Sequence, residues 1–439
     1  MNRAARLAER GATFLFLVVF AGIMWPPNTY FSGEMLTPQG ASNIWDFMEF
    51  ALLLPFLALG FLSCRRDAPR LAIWAWPVLA LAVFAFLSAF WSDAPALVVR
   101  RAGTVTATAL FGVYLAARGD LGDLVASLVK VYAIAAIASF IAIALLPQAA
   151  TVTGDYYTHA WRGAFTDKNE LGMACAVALI LSAYAYRRRY GPRWLAGFNI
   201  AAFLVLLYGS ESKTPVVVML AALYAAFLVL ALRRRSGVGL VVGYVLLVFG
   251  LAGTALLAVG WQDVLAALGR DPTFTNRTRI WQLALEYIGR RPWFGYGYGG
   301  FWRADSADAN IFWAALGFKT PHAHNSWLEL ALGVGIVGVA IAAIAWLAAI
   351  YRILRVTTAP HAEHVAFCFA LLAGSFFENL SEFEFFRPGR LIFALFVAVL
   401  TYLGRELSMF RASSAAARRP AHLAARPAPY APAGVSLVP

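Results

Sequence analysis

The chain alternates between long apolar runs and short connections that carry arginine. Most runs approach the ~20 residues that a helix needs to cross ~30 Å of hydrocarbon. This pattern predicts a polytopic membrane protein with about twelve spanning helices. The predicted spans are 12–26, 44–63, 71–91, 102–117, 123–146, 169–186, 195–210, 214–232, 238–258, 327–350, 363–380 and 390–404.

Composition agrees with this reading. Hydrophobic residues are 61% of the chain and charged residues only 13%, whereas about a quarter of a soluble domain is charged. The predicted fold class is therefore all-α, as a polytopic integral membrane protein. The first apolar run lacks a signal-peptide cleavage motif, so we expect it to be an anchor. Cys64, Cys175 and Cys368 form no metal-binding or disulfide pattern.

One long polar segment interrupts the alternation. It runs from Trp261 to Trp327, between the ninth and tenth predicted spans, and contains arginine, histidine and many aromatic residues. Apolar positions within 278–290 recur at helical spacing, which predicts one helix in this loop. Its apolar side is expected to contain Ile280, Trp281, Ala284, Tyr287 and Ile288.

Arginine-rich connections predict the orientation of the chain. Positive residues collect on the cytoplasmic side of membrane proteins, so the N-terminus, with three arginines, is expected there. Alternating spans then place the other dense clusters on the same face. These are Arg65–Arg66–Arg70, Arg118, Arg187–Arg188–Arg189–Arg193, Arg233–Arg234–Arg235, Arg352–Arg355, and the tail arginines Arg405, Arg411, Arg418 and Arg419.

Topology accounts for most of the formal net charge of +13. We expect the basic loops to meet anionic membrane lipid, and we expect no nucleic-acid partner. The tail is rich in alanine, proline and arginine and has no apolar period. That composition predicts disorder.

Several cations are expected on the opposite, extracytoplasmic face. They are Arg100, Arg101, Arg162, Lys168, Lys213, Arg277, Arg279, Arg290, Arg291, Arg303 and Lys319. Long loops translocate whatever their charge, which explains part of this set. The alternative is a site for an anionic ligand, favoured because Arg162, Lys168 and Lys213 lie in short connections.

Four segments resemble a known family. They read WRGAFTDKNELG (161–172), SESKTP (210–215), NRTRIWQLALEYIGRRPWFGYGYGGFW (276–302) and HAHNSWLELALGVGIVG (322–338). Their order resembles the signature of the O-antigen ligase and polymerase superfamily of bacterial envelope glycosyltransferases. The first two segments are most similar to those of exopolysaccharide (Wzy-type) polymerases. Asn276 stands where the family usually has glycine.

The resemblance implies a GT-C-like membrane fold and glycosyl transfer from an undecaprenyl-diphosphate-linked glycan. The acceptor would be another glycan (polymerase) or lipid A–core (ligase). The location would be the bacterial inner membrane, with the active site facing the periplasm. The expected organisation is a transmembrane catalytic domain over 1–410, a large periplasmic loop over 259–326 within it, and a disordered cytoplasmic tail over 411–439.

The resemblance also suggests which residues are catalytic. His324 matches the histidine of the family's H-N motif, and histidine has a pKa suited to a general base. The alternative is an interfacial histidine that anchors a helix. Arg277 matches the arginine before the motif tryptophan and is expected at a helix N-terminus, where phosphate binds well. We expect Asn325, His322 and Trp281 to position the acceptor or the base, Asn325 as an N-cap.

Four further cations are candidates for binding the pyrophosphate: Lys213, Arg162, Lys168 and Arg279. Arginine and lysine can stabilise charge on the leaving diphosphate, a role otherwise filled by a metal. We expect neither metal nor cofactor. The alternative for Lys213 is a snorkelling lysine, and for Arg162 and Lys168 it is structural anchoring. For Arg277 the alternative is a solvated arginine on an interfacial amphipathic helix, which is the reading favoured for Arg290 and Arg291, and Arg279 lies between the two readings.

Other motifs are weaker. Residues 295–300 fit G-x-G-x-x-G, but no βαβ unit surrounds them, so we expect a flexible loop near sugar. Asp305 and Asp308 match no metal-ligand spacing. Sequence leaves open whether Glu378, Glu382 and Glu384 bind sugar, take part in the chemistry or pair with arginines. A transporter of lipid-linked glycan is the alternative of another class, although transporters usually place charges at mid-membrane.

Overall fold

The computed structural model describes residues 3–23, 44–64, 68–154, 157–233, 277–356 and 362–417. Within them the chain is almost entirely helical. The helices are α1 Arg3–Phe20, α2 Ile44–Ser63, α3 Ala68–Ala72, α4 Trp76–Leu87, α5 Pro95–Arg118, α6 Leu121–Leu145, α7 Pro147–Ala150, α8 Lys168–Arg188, α9 Arg193–Ser210, α10 Thr214–Arg233, α11 Arg277–Arg290, α12 Ala307–Leu316, α13 Ser326–Val356, α14 Ala362–Glu378 and α15 Leu391–Ala417, with 3₁₀ turns at Ile73–Ala75 and Ser88–Trp91.

The predicted spans correspond to helices wherever the structure describes them. Eight are long and apolar enough to cross a membrane: Pro69–Trp91, Pro95–Arg118, Leu121–Leu145, Lys168–Arg188, Arg193–Ser210, Thr214–Ala231, Ser326–Val356 and Leu391–Arg411. Helices α1, α2 and α14 occupy three further predictions. The predicted span 238–258 and the loop residues 261–276 lie outside the described residues. The polytopic all-α prediction is therefore confirmed.

One small sheet is an exception that sequence did not predict. Strands β1 Thr151–Gly154 and β2 Tyr157–Trp161 pair antiparallel, with Thr151 opposite Trp161. The ribbon continues into a loop that packs on the membrane helices, because the amide of Ala164 donates to Ser139 Oγ at 3.2 Å. It thereby carries the 161–169 segment to the C-terminal end of α6 and the N-terminal end of α8.

Helix α13 was predicted as one continuous span, but it is broken at Gly335, whose φ is +66°. Backbone from the preceding loop satisfies the polar groups at the break. Leu332 O accepts from the amide of Tyr296 at 2.8 Å, and the amide of Ile336 donates to Pro292 O at 2.8 Å. Unpaired peptide groups are costly in a membrane, so this loop makes the break tolerable.

The large loop has its own small core. Helix α11 buries Ile280, Ala284, Tyr287 and Ile288, as predicted, against the unpredicted helix α12. At the other end of the chain, α15 continues to Ala417, so residues 411–417, where the predicted tail begins, are helical. Residues 418–439 lie outside the described part.

Candidate functional site

A single carboxylate joins the two residues for which sequence predicts catalytic roles. Glu382 Oε1 accepts from Arg277 Nη2 at 2.5 Å, and Glu382 Oε2 lies 3.2 Å from His324 Nδ1. Arg277 Nη1 also donates to the carbonyl oxygen of Ser381. We call Arg277, Glu382 and His324 the bridged triad.

Three different elements supply the bridged triad. Arg277 is the first residue of α11, as the sequence predicts, Glu382 lies in the loop after α14, and His324 precedes α13. All three side chains are mostly buried but not closed off, since 14%, 17% and 28% of their surfaces stay exposed for Arg277, Glu382 and His324. A substrate group could therefore reach them.

The charges of the triad favour an ionised Glu382. Burial alone would raise the pKa of this carboxyl. The hydrogen bond with His324 and the charge of Arg277 outweigh burial, so that the pKa is lowered. An ionised Glu382 is an acceptor, which favours the His324 tautomer with its proton on Nδ1. Nε2 then keeps a free lone pair.

The segment that carries His324 is held from both sides. Trp281 Nε1 donates to the carbonyl oxygen of Ala323 at 3.0 Å, and the amide of Ala323 donates to Glu329 Oε2 at 2.9 Å. Trp302 Nε1 donates to the same buried carboxylate at 3.0 Å. Trp281 and Glu329, which both belong to the predicted motifs, thus position His324 through hydrogen bonds to the backbone of Ala323.

Asn325 caps α13, as the sequence predicts. Its Oδ1 accepts from the amides of Trp327 at 2.9 Å and Leu328 at 3.2 Å. Ser326 then ties this helix start to the loop of Glu382, because its hydroxyl donates to Asn379 Oδ1 at 2.5 Å. His324 and Glu382 therefore lie on backbone segments that are fixed to each other.

A second ionic cluster continues from the bridged triad. Arg390 Nη2 donates to Glu170 Oε1 at 2.5 Å, and Glu384 Oε1 accepts from Arg387 Nη1 at 3.2 Å. Arg390 Nε is also 3.6 Å from Glu384. Burial raises the pKa of Glu384 although both arginines oppose this shift. Because Glu170 lies in the first turn of α8, the cluster links the start of α8 to the 379–390 loop.

The two predicted lysines flank a contact between the starts of α8 and α10. Ser212 Oγ donates to Asn169 Oδ1 at 3.1 Å, which joins the K-N and S-x-S-K motifs. Lys168 is the first residue of α8, and Lys213 directly precedes α10. Lys213 is exposed, and its ammonium has no ion pair or hydrogen bond among the described residues. These positions can present positive charge to a ligand.

The structure gives Arg162 and Arg279 other contacts. Arg162 donates through Nε to Ala149 O at 2.5 Å and through Nη1 to Thr166 O at 3.0 Å. Arg279 is exposed and donates to Ala315 O at 2.5 Å, at the end of α12. These contacts favour the anchoring alternative for Arg162, and they place the Arg279 guanidinium on α12 rather than on Glu382.

The glycine-rich segment 295–300 is not the flexible loop that the sequence predicts. Tyr296 and Tyr298 are buried, and Gly295, Gly297 and Gly299 have positive φ. A Cβ on Gly335 would collide with the backbone of Trp293. The P-x-x-G-x-G and G-I-V-G motifs therefore pack against each other and support the broken helix.

Glu382 is the site residue to which sequence reasoning assigns no single role. The available signal was an acidic cluster placed outward between two spans, but spacing alone could not show which carboxylate meets His324. Glu384 instead pairs with Arg387 and Arg390. Of the two aspartates considered for a metal, Asp305 binds Arg303 at 2.9 Å, and Asp308 is 3.9 Å from Arg290.

Comparison with known proteins agrees with these motifs. Residues 198–343 match the family model described as O-Antigen ligase, a segment that contains Lys213, Arg277 and His324 but ends before Glu382. The chain is also 26% identical over 313 residues to "Exopolysaccharide production protein ExoQ" of Rhizobium meliloti (strain 1021). That alignment covers 66% of each protein, slightly under two thirds of the relative's length. These matches support the resemblance of the chain to the O-antigen ligase and polymerase superfamily.

Proposed function

We propose that this protein polymerises repeat units of an exopolysaccharide or O-antigen at the periplasmic face of the bacterial inner membrane. The donor would be an undecaprenyl-diphosphate-linked glycan and the acceptor a second glycan. The observation that carries the proposal is the bridged triad. In it, Nδ1 of His324 faces the ionised carboxylate of Glu382, while part of the His324 side chain stays exposed. The relative's printed name, an exopolysaccharide production protein, favours polymerisation.

In this proposal His324 is the general base. With Nδ1–H donated to Glu382, Nε2 takes the proton from an acceptor hydroxyl. The hydroxyl oxygen attacks the anomeric carbon and forms the new glycosidic bond. The bond from that carbon to the pyrophosphate oxygen breaks, and undecaprenyl diphosphate leaves with the electron pair. Glu382 stabilises the imidazolium, and Arg277 keeps Glu382 ionised.

Binding of the leaving diphosphate is assigned to the outward cations. Lys213 and Lys168 supply charge where the K-N and S-x-S-K motifs meet. Arg277 has five N–H donors, and its contacts to Ser381 and Glu382 leave others for a phosphate oxygen. Arg162 and Arg279 enter this proposal only as anchors of their loops. Cations around departing phosphate provide the electrostatic stabilisation that a transferase needs.

The experiment is an assay of purified protein in lipid nanodiscs with an undecaprenyl-diphosphate-linked repeat unit. Growth of a product ladder without lipid A–core would support the polymerase. Transfer only when lipid A–core is supplied would replace it with the ligase, which the description of the matched family favours. Movement of donor across liposomes without turnover would indicate a transporter. His324→Ala should abolish product, and an active His324→Ala protein would refute the assigned base.

A further inference from the structure

His322 is buried directly beside His324. Only 7% of His322 is exposed, and the two ring centroids are 4.2 Å apart. His322 Nδ1 accepts a hydrogen bond from the backbone amide of His324 at 3.1 Å. The hydroxyl of Thr320 donates to the carbonyl oxygen of His322 at 2.8 Å, which fixes the backbone on the other side.

This hydrogen bond acts on an unusual backbone conformation. His324 has φ +48°, in the left-handed region that residues other than glycine seldom adopt. Such a conformation persists only where surrounding contacts determine it, and functional sites often contain one. A ring nitrogen that accepts a backbone N–H must itself carry no proton. His322 therefore has to be neutral for this contact to exist.

We propose that His322 is a positioning residue for His324. Its unprotonated Nδ1 holds the His324 backbone in the left-handed conformation from which the His324 imidazole reaches Glu382. Protonation of His322 removes the acceptor and releases that backbone. The inference rests on the proposed function, because it takes His324 as the base.

The surroundings of His322 keep it neutral. Burial holds its pKa well below the usual histidine value, and the charges of His324, Arg387, Arg390 and Arg277 lower it further. His324 lies on the same segment as His322, Arg387 and Arg390 lie in the loop before α15, and Arg277 begins α11. The arginines carry positive charge, and His324 gains it on protonation. Because the folded pKa lies well below the usual histidine value, the neutral form dominates near pH 7.

Two variants of similar size separate this role from simple packing. The amide oxygen of Asn occupies the place of Nδ1, so His322→Asn keeps an acceptor that does not titrate, whereas His322→Leu has none. Loss of one hydrogen bond to a positioned group corresponds to about tenfold. We expect His322→Leu to reduce kcat by about that factor at unchanged KM, and His322→Asn to restore most of it.

The pH dependence is the second readout. Protonation of His322 should lower wild-type activity on the acid side, and His322→Asn should lose less activity there. Equal kcat for the Leu and Asn variants, or an acid-side profile of His322→Asn identical to that of the wild type, would overturn the proposal. All variants are first compared for monodispersity on gel filtration.

A measurement without turnover keeps this inference separate from the proposed function. In protein carrying ¹⁵N-histidine, NMR should show Nδ1 of His322 unprotonated at neutral pH, whatever reaction the protein catalyses. A protonated Nδ1 would refute the positioning role even in an active polymerase. An inactive wild type with unprotonated Nδ1 would refute the proposed function and leave the hydrogen-bond assignment intact.

Discussion

Replacing Glu382 with glutamine tests the bridged triad most directly. Glutamine keeps the length of the side chain, and its amide oxygen can still accept from Arg277. That arrangement turns the amide NH₂ toward Nδ1 of His324. An NH₂ group cannot accept a proton, so the imidazole must take the tautomer with hydrogen on Nε2. The nitrogen proposed as the base then has no lone pair available.

The size of the effect follows from this tautomer. General-base catalysis contributes about 10²–10⁴ in rate. In serine proteases, the corresponding acid-to-amide change beside the catalytic histidine costs about 10⁴ in kcat. We therefore expect Glu382→Gln to lower kcat by about 10²–10⁴. KM should change little, because Glu382 touches the base and not the lipid-linked donor in the proposed mechanism.

The assay is the initial rate of undecaprenyl diphosphate release by protein in nanodiscs. Glu286→Gln is the matched control, since Glu286 is 57% exposed and pairs with Arg290 at 2.6 Å on the same helix as Arg277. Such exposed pairs contribute only ~0–1 kcal/mol, so the control should keep wild-type activity. If Glu382→Gln retains a kcat near that of Glu286→Gln, the triad does not orient the base.

Three further predictions concern stability. Asn325→Ala should lower the free energy of unfolding by about 1 kcal/mol through loss of the N-cap, and Asn325→Asp should recover it in the same fluorescence-monitored melting assay. Gly335→Ala should prevent recovery of monodisperse protein, because φ is +66° and the new Cβ meets backbone, whereas Gly289→Ala has open space and should not. Folding lowers the pKa of Glu382, so its ionic contacts stabilise the protein above the usual glutamate pKa of about 4.3 and weaken as pH falls through the lower folded value. The difference in Tm between wild type and Glu382→Gln should therefore persist at neutral pH and shrink only in stronger acid.

The apolar pattern was sufficient to predict the helices because each membrane-spanning segment must be long and apolar by itself. The segment 278–290 was predicted as a helix, and its apolar side is the buried side of α11. The break in α13 and the antiparallel pair of β1 and β2 could not be predicted in this way. The break at Gly335 depends on backbone donated by residues 292–296, which an apolar run of 327–350 does not reveal.

The candidate site was predicted in part for a similar reason. Arg277 and His324 could be found because they stand at fixed places in local motifs. Glu382 lies 58 residues beyond His324 in sequence, and only the packing of α13 against the 379–386 loop brings the two together. Arg162 shows the converse, since its motif position suggests phosphate binding but its guanidinium donates to the backbone carbonyls of Ala149 and Thr166.

Four of the arginines expected on the extracytoplasmic face, together with Arg390, pair with carboxylates of the protein itself. Arg277, Arg291, Arg303 and Arg390 each pair with a carboxylate, as Arg290 does with Glu286. An anionic substrate that approached this face would have to compete with those partners. Lys213 is exposed and has no such competitor among the described residues. Its ammonium can therefore bind phosphate without first losing an existing ion pair.

Lys213→Ala should accordingly weaken donor binding more than it slows the chemical step. Hydrogen bonds to charged groups contribute about 1.5–3 kcal/mol, which corresponds to a rise in donor KM of roughly tenfold to a hundredfold. Lys319→Ala removes an equal charge from the large loop, where the ammonium lies 5.5 Å from the centre of the Trp313 ring, and should leave KM unchanged. Equal KM values for both variants would mean that Lys213 acts only through the general field of the surface, and that the diphosphate is bound by the remaining donors of Arg277.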